Sequence, residues 1–357
     1  MFEVKKKKMA ILCYTQAAKE LAEKIKSIKF ESDDYEINIA FKPKNTTLWV
    51  KEQFETCDVL LFICAMGIAV RHIAPFIKSK LTDPAVIVMD EKGKNVISVL
   101  SGHIGGANEI TNILANKLGA NPVITTASDV NDKIAIDVFA VKNGLVITDF
   151  EMEKSFAARL VDGDKIGLVC DGEIIGKVPD EFVLLNDIND CIGKLKNCIF
   201  ISDRKLLDNF YGLNVLRLVP KSIILGLGCK RGKAAMEIEK AVLEETDRLG
   251  FAKEAIGALA SIDLKKDEQG LNIFIERYGL KSSYYNAKEL EEVEGDFEKS
   301  DFVKSVTGID NVCERALIKY VSEINPGLVK DNLLLKKKKC DGITLAVAKI
   351  DWSVEFE

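Results

Sequence analysis

Short apolar runs alternate along the first part of the chain with stretches in which apolar positions recur at helical spacing. Met9–Tyr14, Tyr35–Phe41 and Asp58–Ala65 predict strands. Residues 16–28 place Leu21, Ile25 and Ile28 on one helical face, and residues 46–55 read as a second helix. Strand and helix taken in turn are the pattern of an α/β unit with a parallel sheet. Ala85–Asp90 and Asn95–Leu100, joined by Glu91-Lys92-Gly93-Lys94, predict a hairpin, which puts an antiparallel element into that sheet. Glu109–Leu118 carries Ile110, Ile113, Leu114 and Leu118 at helical spacing, and Gly119 supplies a stop. Val123–Thr126 predicts the next strand.

Residues 131–220 change character. Helices are expected at Lys133–Val141 and Ser155–Leu160. Short strands are expected at Lys165–Cys170, Phe182–Leu185, Cys198–Ile201 and Val215–Leu218. Beyond Pro220, Ser222–Leu225 predicts a strand, and the helix after it carries Ala235, Ile238, Val242 and Leu249 before Gly250. Ala260–Lys265 predicts a strand running into a polar loop, a helix starts near Val312, and Ile343–Ala348 predicts the last strand. Lys336–Lys339 reads as a solvated loop. The fold class is therefore α/β. Residues 1–130 form a layered N-terminal domain with a mixed sheet, 131–220 a small middle module, and 221–357 a C-terminal α/β domain.

Composition narrows the function. A chain of 357 residues suits two or three domains. The formal charge of −5 argues against a nucleic-acid partner, which calls for a basic surface. The longest apolar run, Val59–Val70, is well short of the roughly 20 residues that span a bilayer, so no membrane partner is expected. Met9–Tyr14 follows a lysine run but is shorter than the about 7–15 apolar residues of a secretory core, and reads as a strand. Nine cysteines without a C-x-x-C pair point to free thiols in a reducing cytoplasm, and two histidines make a dedicated metal site improbable.

One of those histidines stands in Ser101-Gly102-His103-Ile104-Gly105-Gly106-Ala107-Asn108, between a predicted strand and a predicted helix. A histidine there can serve as base or acid near neutral pH, and the Gly105 and Gly106 amides are candidate donors to a developing oxyanion. Cys64–His72 repeats the strand–glycine–helix plan, which puts Gly67 at the same sheet edge as Gly105 and makes Arg71 a candidate for a substrate carboxylate. His72 reads as packing. Gly226-Leu227-Gly228-Cys229-Lys230-Arg231-Gly232-Lys233 fits a carboxylate or phosphate cradle and a plain structural turn nearly equally. Its G-x-G-x-x-x-G spacing is one residue longer than the dinucleotide fingerprint, which counts against a nucleotide. No G-x-S-x-G is present, no Ser-His-Asp arrangement can be inferred, and no nucleophile is assigned.

The run DPAVIVMDEKG…SVLSGHIGGAN, within residues 67–129, closely resembles the cobalamin-biosynthesis G family of cobalt-precorrin-5A hydrolases. LGLGCKRGKAAMEIEKAV, IGALASIDLKKDEQGL and SVTGIDNVCERAL resemble that family's C-terminal domain. The resemblance implies a hydrolase that cleaves a carbon–carbon bond of a cobalt corrinoid. It opens the ring-A δ-lactone, releases acetaldehyde and contracts the macrocycle. It needs no cofactor beyond the cobalt carried by the substrate, and no metal ligands are assigned in the chain. The partners expected are the corrinoid, neighbouring corrin-pathway enzymes and a second copy of the chain. His103 is then the base, with Gly105 and Gly106 as oxyanion donors. Gly67, Arg71, Ser101, Gly102, Asn108, Thr125 and Thr126 contact substrate from the N-terminal domain. Gly226, Gly228, Lys230, Arg231, Asp263, Lys265 and Glu314 do so from the C-terminal one. Lys78 and Lys80 complete a cationic rim for the carboxylate arms. Two rivals stand beside this reading: a non-enzymatic tetrapyrrole carrier or scaffold, and, more weakly, a nucleotide-dependent enzyme using the 226–232 turn.

Overall fold

The computed structural model describes residues 6–30, 35–80, 82–206, 210–324 and 333–356. The chain divides into two compact units, Met1–Val138 and Phe139–Glu357.

The first unit is built on six strands: β1 (Lys7–Cys13), β2 (Tyr35–Phe41), β3 (Val59–Ile63), β4 (Ala85–Met89), β5 (Asn95–Leu100) and β6 (Asn121–Val123), in the order β2-β1-β3-β4-β5-β6. β1, β2, β3 and β4 are parallel, β5 runs antiparallel to β4, and β6 is parallel to β5. The expected hairpin is present. The last expected strand is displaced: β6 ends at Val123, before the two threonines.

Side chains alternate across a sheet, so strands buried on both faces must be apolar throughout. Met9 and Ile11 of β1 with Leu61 of β3 pack on one face against Ala18, Ala22 and Ile25 of α1 (Gln16–Lys26). Leu12 with Leu60 and Phe62 pack on the other against Val50 of α2 (Thr46–Thr56) and Ile73 of α3 (Met66–Ile73). α4 (Ala107–Leu118) returns to the first face through Ile110 and Leu114. Two short helices follow, α5 (Ala127–Val130) and α6 (Ile136–Lys142), and the division between units falls within α6.

The second unit holds two five-stranded sheets. In the first, β7 (Leu145–Ile147), β8 (Ile166–Cys170), β10 (Phe182–Leu185), β11 (Asn197–Ile201) and β12 (Asn214–Pro220) take the order β10-β8-β11-β12-β7, with α7 (Phe150–Val161) between β7 and β8. β9 (Glu173–Ile175) pairs instead with β18 (Ser353–Glu355), so the last described strand returns to a segment far earlier in the chain. The other sheet has the order β15-β14-β13-β17-β16, from β13 (Ile223–Cys229), β14 (Ile256–Ile262), β15 (Lys281–Tyr285), β16 (Leu333–Cys340) and β17 (Ile343–Lys349). α8 (Ala235–Arg248) and α9 (Gln269–Tyr278) cover one face of it. α12 (Cys313–Ile324), preceded by α10 (Ala287–Glu291) and α11 (Asp301–Thr307), covers the other.

Two expectations fail here for physical reasons. The lysine run is not a loop: Lys336–Lys339 lie within β16, an edge strand, where lysines block pairing with a further chain. Gly226 and Gly228 are not turn residues either. β13 continues through both, paired to Ala346 and Thr344 of β17. A Cβ on Gly226 would stand 2.0 Å from the Cys313 carbonyl oxygen, so this glycine admits α12 against the sheet.

Candidate active site

The Ser101–Gly106 loop connects β5 to α4 and is held from within. Ser101 adopts φ +55°, a left-handed conformation uncommon for a residue with a side chain. Its hydroxyl donates to the Asp83 carbonyl at 3.0 Å, and its carbonyl accepts from Ala107 N at 3.1 Å. Asp83 is buried and caps the preceding loop, accepting from Lys78 N and Ser79 N at 2.9 and 3.0 Å. Gly105 lies so close to Ser101 that a Cβ would meet the serine Cβ at 2.4 Å. The Gly106 amide donates to His103 O at 2.8 Å, and the Asn108 amide to Gly102 O at 3.0 Å. Gly106 N–H is therefore committed, and the role of oxyanion donor does not fit it. Among the described residues the Gly105 amide has no acceptor.

This loop sets His103 among three side chains that follow β6. Nδ1 lies 3.1 Å from Oδ1 of Asp137 in the first turn of α6. Nε2 lies 3.1 Å from Oδ2 of Asp129 and 3.0 Å from Oγ of Ser128, both in α5. Asp137 is buried, with its side chain 4% exposed. Its Oδ1 also accepts from Val138 N at 3.0 Å, and Oδ2 lies 3.5 Å from Lys80 Nζ. Asn108, buried on α4, donates through Nδ2 to Thr126 Oγ1 and to Asp129 Oδ2, each at 3.0 Å. Thr125 is exposed beside it.

A neutral imidazole has one N–H and one lone pair, whereas imidazolium has two N–H groups. A carboxylate at each nitrogen favours imidazolium. The hydrogen bond from Asp137 leads in raising the His103 pKa; burial opposes it, and Asp129 adds to the rise. Burial alone would push the Asp137 carboxyl up, but His103 and then Lys80 outweigh it and hold that carboxyl below its usual range.

Gly67 and Arg71 do not join this group. The sequence pattern placed the Gly67 turn and Gly105 at one sheet edge. Because β5 is antiparallel to β4, Leu100 pairs with Val86 at the start of β4, whereas the Gly67 turn follows the far end of β3. The two turns stand at opposite edges. Arg71 Nη1 lies 3.4 Å from Gly67 O, and His72 Nδ1 lies 3.2 Å from Thr47 Oγ1. Ile68 lines a separate cleft of about 450 Å³ at the ends of β1, β3 and β4, with Tyr14, Ile63, Cys64, Asp90 and Glu91.

In the second unit the basic turn already holds an anion of its own. The Glu268 carboxylate accepts from Gly232 N and Lys265 Nζ, both at 3.0 Å, and lies 3.7 Å from Arg231 Nε. Burial works against its charge, yet Gly232 and Lys265 keep its carboxyl below the usual range. Lys265 is thus engaged, whereas Lys230 is exposed and Arg231 is 88% exposed. Asp263 opens a short exposed turn after β14. Glu314 is buried at the start of α12 and accepts from Asn311 Nδ2 at 3.1 Å and Lys337 N at 2.9 Å. It fastens α12 to β16.

Sequence reasoning missed Asp137 and left Ser128 without a role. A signal for Asp137 was present: it is the one acid within Ile134–Val141. Burying a carboxylate in such a run is costly without a partner. All nine cysteines are free. Among the described residues, no helix is long and apolar enough to cross a membrane, and no group of three or more His, Cys, Asp or Glu is arranged to hold a metal ion.

Comparison with known proteins covers most of the chain. The family described as Cobalamin synthesis G N-terminal matches residues 48–129, which include His103, Ser128 and Asp129. Cobalamin biosynthesis central region matches 134–220, and Cobalamin synthesis G C-terminus matches 223–348. A protein of Priestia megaterium named cobalt-precorrin-5A hydrolase is 36% identical over 334 residues, covering 91% of this chain and 87% of its own length. One of the same name from Salmonella typhimurium is 34% identical over 267 residues, covering 73% of this chain and 76% of its own. With three family segments matched in order along the chain, and relatives of this identity and coverage, the chain belongs to the cobalamin synthesis G family.

Proposed function

We infer that this chain is a cobalt-precorrin-5A hydrolase, which opens the ring-A δ-lactone of its corrinoid substrate and releases acetaldehyde. The observation that carries this is the 36% identity over 91% of the chain to a relative of that name. The His103 loop supports it. Lactone opening is acyl transfer, which needs a proton acceptor for the attacking oxygen and donors for the tetrahedral oxyanion. His103, oriented by Asp137, suits the first task. The Gly105 amide is the remaining backbone candidate for the second.

The carbon–carbon cleavage that follows is a retro-aldol step, in which the macrocycle takes the electron pair. Hydrolysis and retro-aldol cleavage are together redox-neutral, so the reading includes no cofactor beyond the cobalt of the substrate. Lys230 and Arg231, both exposed, are the cations this reading assigns to carboxylate groups of the corrinoid. A cytoplasmic location, a homodimer and hand-over between neighbouring pathway enzymes belong to the same reading.

The test is anaerobic incubation of the purified protein with the lactone-bearing cobalt intermediate. Ring-opened corrinoid and acetaldehyde are expected in equal amounts, without added nucleotide or metal. Tight binding with neither product would establish a carrier instead.

A further inference from the structure

We propose that Ser128 is the nucleophile of lactone opening, so that the reaction passes through an acyl-enzyme on its Oγ. This rests on the hydrolase reading and adds a covalent step to it. Three distances carry the proposal. Ser128 Oγ is 3.0 Å from His103 Nε2, His103 Nδ1 is 3.1 Å from Asp137 Oδ1, and Asp137 Oδ2 is 3.5 Å from Lys80 Nζ. Hydroxyl, imidazole and buried carboxylate in this sequence of contacts form a nucleophile, a base and an orienting group. Such a constellation is identified by geometry and not by chain order or fold.

The alternative is a water activated directly by His103. That role asks for an Nε2 open to water, whereas here a hydroxyl already stands against it at 3.0 Å. Asp129 completes the arrangement. Its Oδ2 lies 3.1 Å from the same Nε2, close enough to receive the second N–H once the serine proton has moved onto the ring. Asn108 Nδ2 holds that Asp129 oxygen at 3.0 Å.

The steps balance. As the Ser128 Oγ–carbonyl carbon bond forms, the hydroxyl proton passes to Nε2. The lactone C–O bond then breaks, and the departing oxygen takes the proton from Nε2. Water attacks the resulting ester, gives a proton to Nε2, and the acyl carbon–Oγ bond breaks as Ser128 recovers its proton. The net change is addition of one water. The hydroxyl so freed is the group that a retro-aldol cleavage requires.

The experiment uses the full chain. Single turnovers with the cobalt intermediate, quenched in acid, are read by intact mass and peptide mapping. In parallel, a fluorophosphonate, which loses fluoride on forming a P–Oγ bond, is offered to the resting protein. Wild type should carry a substrate-mass adduct and the phosphonate, both on the peptide containing Ser128. Ser128→Ala should bind corrinoid as wild type does, form neither adduct and lose at least about 10³-fold in turnover. Retained turnover in Ser128→Ala, within about tenfold of wild type, would overturn the proposal in favour of direct attack by water. So would an active wild type that shows no adduct and no phosphonate at Ser128. Phosphonate on Ser128 without acetaldehyde from the intermediate would keep the nucleophile and sink only the substrate reading. The wild-type adducts do not depend on a variant folding.

Discussion

Nδ1 of His103 lies 3.1 Å from Oδ1 of Asp137, a carboxylate that Val138 N and Lys80 hold in place while only 4% of its side chain meets solvent. The loop histidine is thereby fixed in orientation and biased toward its charged form. It serves as an acceptor in the form whose Nε2 carries no proton.

Asp137→Asn tests that pairing. The amide keeps the shape but removes the charge, and it can turn an N–H toward Nδ1. Turnover is expected to fall by roughly 10²–10⁴, with substrate binding little changed. Steady-state acetaldehyde release and corrinoid titration separate the two. A fall in binding equal to the fall in turnover would make Asp137 structural.

The pH profile follows from the same contacts. The groups facing the His103 ring are Asp137, Asp129 and Ser128, with Lys80 behind Asp137. Because the first two carboxylates raise the histidine pKa, the base form appears only above the usual range, near 6.5. The rising limb of kcat/KM should lie above that value, and in Asp137→Asn it should move down. Stability runs the opposite way. A raised folded-state pKa contributes stability that is fully present below the unfolded value and is lost as pH rises through the folded one. Urea unfolding of wild type and His103→Asn across this window should converge at high pH.

Lys230→Ala with Arg231→Ala tests the rim. Both side chains are exposed, so their contribution to binding a polycarboxylate is screened by salt. The double variant should bind corrinoid more weakly, with the difference largest at low ionic strength. Equal binding at all salt concentrations would leave the pair as solvated surface. A nucleotide titration run alongside should show no saturable binding.

Gly226→Ala probes packing in the second unit. The new Cβ meets the Cys313 carbonyl oxygen at 2.0 Å, and backbone cannot swing aside as a flexible side chain does. Overpacking of this kind costs about 1–3 kcal/mol, and each kcal/mol lowers Tm by about 2–4 °C in a domain of this size. A variant as stable as wild type would mean that α12 stands further from β13.

The amino-acid sequence by itself determined the α/β class, the strands β1 to β5, the β4–β5 hairpin and the glycine loop that carries His103. Those features depend on periodicity and turn chemistry, which are local. It also carried the family resemblance, through the run around residues 67–129. Only tertiary structure decided which residues meet. Sheet polarity rests on the direction in which β5 pairs with β4, and that pairing put the Gly67 turn at the edge opposite Gly105. Ser128 and Asp137 reach the two sides of one imidazole because α5 and the start of α6 follow β6 back past the end of β5. Nothing in their local sequence states that contact. The basic turn at 230–233 reads as an open anion cradle until folding brings Glu268 onto it from a distant loop. A charge cluster in sequence shows which ions it attracts; long-range packing determines whether the protein itself supplies one.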